Sequence, residues 1–89
     1  MKIEFKSSFQ KDLNSLHRDE KLFARIKEII LLVESSNSID AVGNVKKLKS
    51  DGLYYRIRIG DYRMGMIVEG ETAIFVRILH RSRIYRYFP

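Results

Sequence analysis

The spacing of apolar residues changes midway along the chain. Before residue 34 they recur every three or four positions, and after residue 52 they recur at every second one. The first pattern predicts helices and the second predicts strands. Residues 2–6 come first, with Ile3 and Phe5 alternating between polar neighbours as a short strand. Phe9, Leu13 and Leu16 then predict a helix over 8–17, with Ser7 three residues ahead of Gln10 as its start signal. Arg18-Asp19-Glu20 interrupts the pattern and offers Asp19 as the cap of a second helix. That helix carries Leu22, Phe23, Ile26, Ile29, Ile30 and Val33 on one face and ends near Ser35. Residues 36–44 are polar and turn-like, with one helical turn around residues 39–42. Residues 45–49 read as a short strand or an extended lead-in. Strands are predicted at 53–59, 62–68 and 72–79, separated by Gly60-Asp61 and Glu69-Gly70-Glu71.

The fold class that follows is α+β, as β-α-α and then an antiparallel β-meander. Two amphipathic helices need an apolar surface, so the helical hairpin is expected to pack on one sheet face. Eighty-nine residues with 45% hydrophobic content suit a single domain over 1–89 with one core. With no Cys and only two His, thiolate chemistry and a multi-histidine metal centre are not expected, and no cofactor is. The longest apolar run, residues 29–33, is far too short for a membrane span, and residues 1–6 are too polar for a signal peptide. A cytoplasmic protein with no membrane partner is the expectation.

Charge changes the picture. Residues 1–45 balance seven basic against seven acidic side chains, whereas residues 46–89 hold ten basic against four acidic, so the whole excess of +6 lies in the second half. Seven of those ten are Arg, which suits planar two-pronged contact with phosphate.

Strand alternation then sorts the arginines. Leu53, Tyr55, Ile57 and Ile59 share one face, and Tyr54, Arg56 and Arg58 share the other. A two-residue loop at Gly60-Asp61 sets Ile59 opposite Tyr62, Arg58 opposite Arg63 and Arg56 opposite Gly65. Exposed alternating arginines are ordinarily a solvated face. Here, however, two like charges oppose each other directly beside a mid-strand glycine, where something can approach the backbone closely. The expectation is three guanidinium groups around a shallow gap that a phosphodiester would occupy. If the second loop also has two residues, His80 falls toward the arginine face and Arg77 toward the other. The terminal segment from His80 interleaves Arg81, Arg83 and Arg86 with Tyr85, Tyr87 and Phe88. Such a pattern suits base stacking with phosphate neutralisation, or, for Tyr87 and Phe88, pinning of the chain end onto the core. His17 reads as a charge partner for a helix C-terminus.

Lys47-Leu48, the run Gly52-Leu53-Tyr54-Tyr55-Arg56-Ile57-Arg58-Ile59-Gly60-Asp61-Tyr62-Arg63, His80-Arg81 and Ile84-Tyr85 together resemble the RelE/ParE superfamily of toxins, nearer its RelE-type mRNA interferase branch. The resemblance implies a toxin of a type II toxin–antitoxin system. It also implies metal-independent endoribonuclease action on mRNA in the ribosomal A site and a cognate antitoxin protein as partner. The family's catalytic positions fall on Arg56, Arg58, Arg63, His80, Arg81 and Tyr85, with Arg in two places where relatives often carry Lys. Beside these, the basic residues themselves make Lys47, Lys49, Arg83 and Arg86 the expected RNA contacts.

RNA cleavage of this kind is attack of a 2′-hydroxyl on the adjacent phosphorus, giving a 2′,3′-cyclic phosphate and a 5′-hydroxyl. Arginine does not release its proton at ordinary pH, so the arginines are assigned to phosphate positioning and transition-state charge. His80 and Tyr85 remain for proton transfer, with Lys47 and Lys49 in reserve. Two other functions fit the same residues: a ParE-like inhibitor of DNA gyrase, and a degenerate toxin that binds RNA without cutting it.

Overall fold

In the computed structural model, which describes residues 1–48 and 52–89, the chain runs β1 (Lys2–Phe5), α1 (Ser7–Asn14), α2 (Glu20–Ser35), a 3₁₀ turn (Ile39–Ala41), β2 (Val45–Lys47), β3 (Tyr54–Ile59), β4 (Tyr62–Glu69), β5 (Thr72–His80) and α3 (Arg81–Tyr87). The five strands form one sheet in the order β1-β5-β4-β3-β2. The predicted meander is its centre, and β1 joins the far edge of β5 as its single parallel pairing. No helix of the described residues is long and apolar enough to cross a membrane.

Apolar burial fixes the layers. Phe9, Ile26, Ile29 and Val33 pack from the helices against Ile57, Ile59, Met64, Met66, Phe75 and Ile78, all buried. Phe5, Phe9 and Phe75 tie β1, α1 and β5 together with ring centroids 5.3 to 5.7 Å apart. Asp19 caps α2 as expected, accepting from the Leu22 N–H at 3.1 Å. By contrast, α1 is shorter than the predicted 8–17 and has no capping box, because Lys6 is its flanking residue and Ser7 lies inside the helix. Its polar side chains serve the sheet instead. Ser8 donates to the Val76 carbonyl at 2.6 Å, and Asp12 accepts from the Ile78 N–H at 3.1 Å. In this way α1 closes the edge of β5 beyond Phe75, where β1 ends. His17 lies past the end of α1, with Nδ1 2.7 Å from the Asn14 carbonyl oxygen.

Both central hairpins have two-residue loops. Ile59 pairs with Tyr62 as predicted, and Gly60 supplies the positive φ of +58° that the first loop position demands. Glu69 pairs with Thr72, so the second loop is Gly70-Glu71 rather than three residues. A β-bulge then interrupts the β4–β5 ladder: Met66 pairs with Phe75, but Gly65 pairs with Arg77, leaving Val76 as the extra residue. Uniform alternation from Ala73 and Phe75 would turn Arg77 into the core. The bulge places Ile78 there instead. It also reverses the expectation for the strand end, since Arg77 now shares the face of Arg56 and Gly65 while His80 pairs with Tyr62.

Candidate functional site

The sheet face away from the helical hairpin carries the arginines. Arg58 and Arg63 are directly opposed across β3 and β4, and Arg56 is opposed to Gly65, in the register that the sequence predicts. The like-charge pair is relieved within the molecule. One guanidinium nitrogen of Arg63 donates to the carbonyls of Gly60 and Tyr62, each at 2.9 Å, and so folds back onto the β3–β4 turn. Arg58 is exposed and has no carboxylate partner among the described residues.

The same turn anchors the far end of the site. The Arg81 N–H donates to the Asp61 carbonyl at 2.7 Å, while the Arg81 side chain stands 3.9 Å from the Asp61 carboxylate. Both of these side chains are largely exposed, so that ion pair is weak. Arg81 opens α3, where the sequence pattern predicts no helix. The available signal was Ile84 and Phe88, four apart and both buried against Leu79. One turn after Arg81, Tyr85 lies 64% exposed, with the Arg56 guanidinium 4.4 Å from its ring centroid. Such a cation–π contact contributes about 0.5–1 kcal/mol at an exposed position. It orients Arg56 without discharging it.

The gap over Gly65 is filled by the chain itself. A Cβ at Gly65 would meet the Phe88 ring at 2.6 Å, so the missing side chain makes room for Phe88. Phe88 is buried and meets Tyr54 edge-on, with centroids 5.8 Å apart. Of the two terminal aromatics, Phe88 pins the chain end, whereas Tyr87 stays exposed.

His80 is the N-cap of α3. Its Nδ1 accepts from the Ser82 N–H at 3.1 Å and lies 2.8 Å from the Ser82 hydroxyl, while its ring packs edge-on to Tyr62. By register it belongs with Tyr62, on the opposite side of the sheet from Arg58 and Arg63. Among the lysines, Lys46 pairs with Arg56 and shares the arginine face, while Lys47 pairs with Tyr55 and falls on the other. Extending the alternation of β3 to its partner strand would have found Lys46. Lys49 lies outside the described residues.

Arg83 and Arg86 project from another flank of α3, with guanidinium carbons 5.5 and 5.9 Å from the Tyr87 centroid. Arg77 lies 5.4 Å from that centroid, and its guanidinium grips Asp12 through two hydrogen bonds of 2.7 and 2.9 Å. The hydrogen bond to Asp12 holds Arg77 above its ordinary pKa; partial burial opposes this, and the nearby negative charge of Asp12 reinforces it. Among the described residues no group of three or more His, Asp or Glu side chains is placed to hold a metal ion.

Known proteins share this sequence pattern and fold. Residues 3–85 match the family described as the ParE toxin of the type II toxin–antitoxin system parDE. Toxin RelE3 of Methanocaldococcus jannaschii is 48% identical over the full length of both chains. The toxin in the RelB-RelE antitoxin–toxin complex from Methanococcus jannaschii superposes with a TM-score of 0.80 at 45% identity, over 97% of this chain and 99% of that one. The archaeal RelE-RelB complex from Pyrococcus horikoshii OT3 shares the fold, with a TM-score of 0.74 at 24% identity over 92% and 96% of the two chains. With a family match across most of its length and a close relative matched from end to end, this chain belongs to the RelE/ParE family of type II toxin–antitoxin toxins.

Proposed function

We propose that this toxin is a ribosome-dependent mRNA endoribonuclease, active in the cytoplasm and silenced by an antitoxin protein. The single observation that carries the reading is the arginine face of the sheet: Arg58 opposed to Arg63, Arg56 at 4.4 Å from the centroid of the exposed Tyr85 ring, and Arg81, whose nearest carboxylate among the described residues is Asp61 at 3.9 Å. Guanidinium groups held on one face with at most a weak carboxylate partner suit a phosphodiester.

In the proposed reaction the 2′-oxygen attacks the adjacent phosphorus and gives up its proton. The bond to the 5′-oxygen breaks, and that oxygen takes up a proton to leave as a hydroxyl beside a 2′,3′-cyclic phosphate. Arg58 and Arg81 hold the non-bridging oxygens. Arg63, braced on the turn, sets the spacing of the cradle, and Arg56 fixes Tyr85, the side chain left to exchange protons. His80 acts by positioning: its Nδ1 holds the first turn of α3, and through it Arg81 and Tyr85. The ribosome supplies in-line placement of the mRNA, so little cleavage is expected without it. Lys46, on the same face, extends the basic surface. Partnership with an antitoxin is supported by the two archaeal relatives, both solved as complexes with one.

Mapping mRNA ends after induction tests the reading. Codon-phased ends are expected from the wild type. Arg63→Ala or Arg81→Ala is expected to lower cleavage about a hundredfold with unchanged circular dichroism. Full toxicity in both variants rejects the site. The match to the ParE description favours one other reading, a gyrase inhibitor, whose signature is DNA damage without phased mRNA ends. A histidine pair separates positioning from proton transfer. Asn at an N-cap accepts the same N–H. His80→Asn is therefore expected to keep most cleavage while His80→Ala loses it, and equal losses in both would assign the ring to proton transfer.

A further inference from the structure

The helix α3 has three flanks. Ile84 and Phe88 face the sheet, Arg81 and Tyr85 face the cleavage cradle, and Arg83, Arg86 and Tyr87 turn toward Arg77. Phe88, seated on Gly65, stands between Arg56 on one side and Arg77 on the other. The basic surface is thus two surfaces separated by one helix, about 10 Å across.

We propose that the second surface is a separate contact for single-stranded RNA. A nucleobase stacks on Tyr87, and the flanking phosphates rest on Arg83 and Arg86. This rests on the RNA-directed reading above and adds a site outside the cradle. Arg77 is not part of the grip on phosphate, because its guanidinium is spent on Asp12. Its role is to fix the floor beneath Tyr87. Arg83 and Arg86 are exposed and have no carboxylate partner among the described residues.

Tyr87 is 48% exposed, and its surrounding guanidinium carbons stand 5.4 to 5.9 Å from the centroid, looser than the 4.4 Å of Arg56 over Tyr85. At 48% exposure part of the ring stays open to a planar partner, alongside the guanidinium groups that stand over the rest. An acidic peptide would satisfy the charges but has no use for the exposed part of an aromatic ring, whereas a nucleotide uses both.

The test is fluorescence anisotropy of a short labelled single-stranded RNA of mixed sequence across a salt series, with the full-length protein. Two lost phosphate contacts are expected to reduce the log–log salt slope of Arg83→Ala/Arg86→Ala by about 1.4. Tyr87→Ala is expected to weaken binding about tenfold at fixed salt, and Tyr87→Phe to match the wild type, as stacking requires. Thermal melts of each variant confirm that it is folded. An unchanged slope in the double variant overturns the proposal, as does equal loss in Tyr87→Ala and Tyr87→Phe. Equal competition by a polyglutamate peptide against wild type and Tyr87→Ala also overturns it, in favour of an acidic protein partner. Arg58→Ala separates the two readings. If it lowers the slope while Arg83→Ala/Arg86→Ala does not, only this second contact fails; if the wild type binds no RNA, both fail.

Discussion

Gly65 has no side chain, and its neighbours reveal why. Placed in mid-strand, a Cβ there would lie 2.6 to 2.8 Å from three carbons of the Phe88 ring. That ring is held between Tyr54 and Ile84 and has little freedom to retreat. Gly65→Ala is expected to cost about 1–3 kcal/mol in urea denaturation, with Phe88→Leu in the same chain recovering part of the loss. The glycine was legible in the sequence as a point of close approach. What approaches was not, because a register derived from one hairpin says nothing about where the chain end returns. Asp12 is a second such residue. Its carboxylate holds both the Arg77 guanidinium and the Ile78 N–H, so Asp12→Ala strands two groups together. The expected cost is about 2 kcal/mol by the same measurement, and Asp12→Ala/Arg77→Met should be less damaged than the single change.

At the scale of elements, periodicity located every central strand and both long helices within a few residues, because those segments bury one face each. It failed at the β-bulge, where one additional residue reversed the sides of Arg77 and His80. Strict alternation carries no sign of such an insertion. The reason is visible only once the core is filled: Ile78 is wanted beside Met64, and a charged Arg77 is not. Deleting Val76 removes the extra residue and leaves Phe75 and Ile78 inward and Arg77 outward by plain alternation, so a cooperative thermal transition is expected to remain. At the other side of the sheet, Asp19→Ala removes the α2 cap and is expected to lower stability by about 1 kcal/mol without touching the basic face. Helix α3 escaped the sequence reading because seven residues give barely two turns of pattern, and because its arginines and tyrosines look alike on every flank.

Across the whole molecule, charge and topology agree. The neutral first half forms β1 and the helical hairpin, while the second half, with its excess of +6, supplies β3, β4, β5 and α3. The hairpin covers one face of the sheet and leaves the arginines on the other. RNA affinity is therefore expected to fall linearly on a log–log plot against salt, with each phosphate contact contributing about 0.7 to the slope.

The parallel pairing of β1 with β5 has a temporal consequence. Lys2 through Phe5 have no strand to join until Thr72 through Phe75 have been made, and α3 follows later still. During synthesis the growing polypeptide holds an unclosed sheet and no assembled arginine cluster. Pairing the first segment with one of the last also demands a wide loop closure, which slows folding. A ribosome that makes this protein must pass the last strand of the sheet and the helix after it before the toxin can take shape.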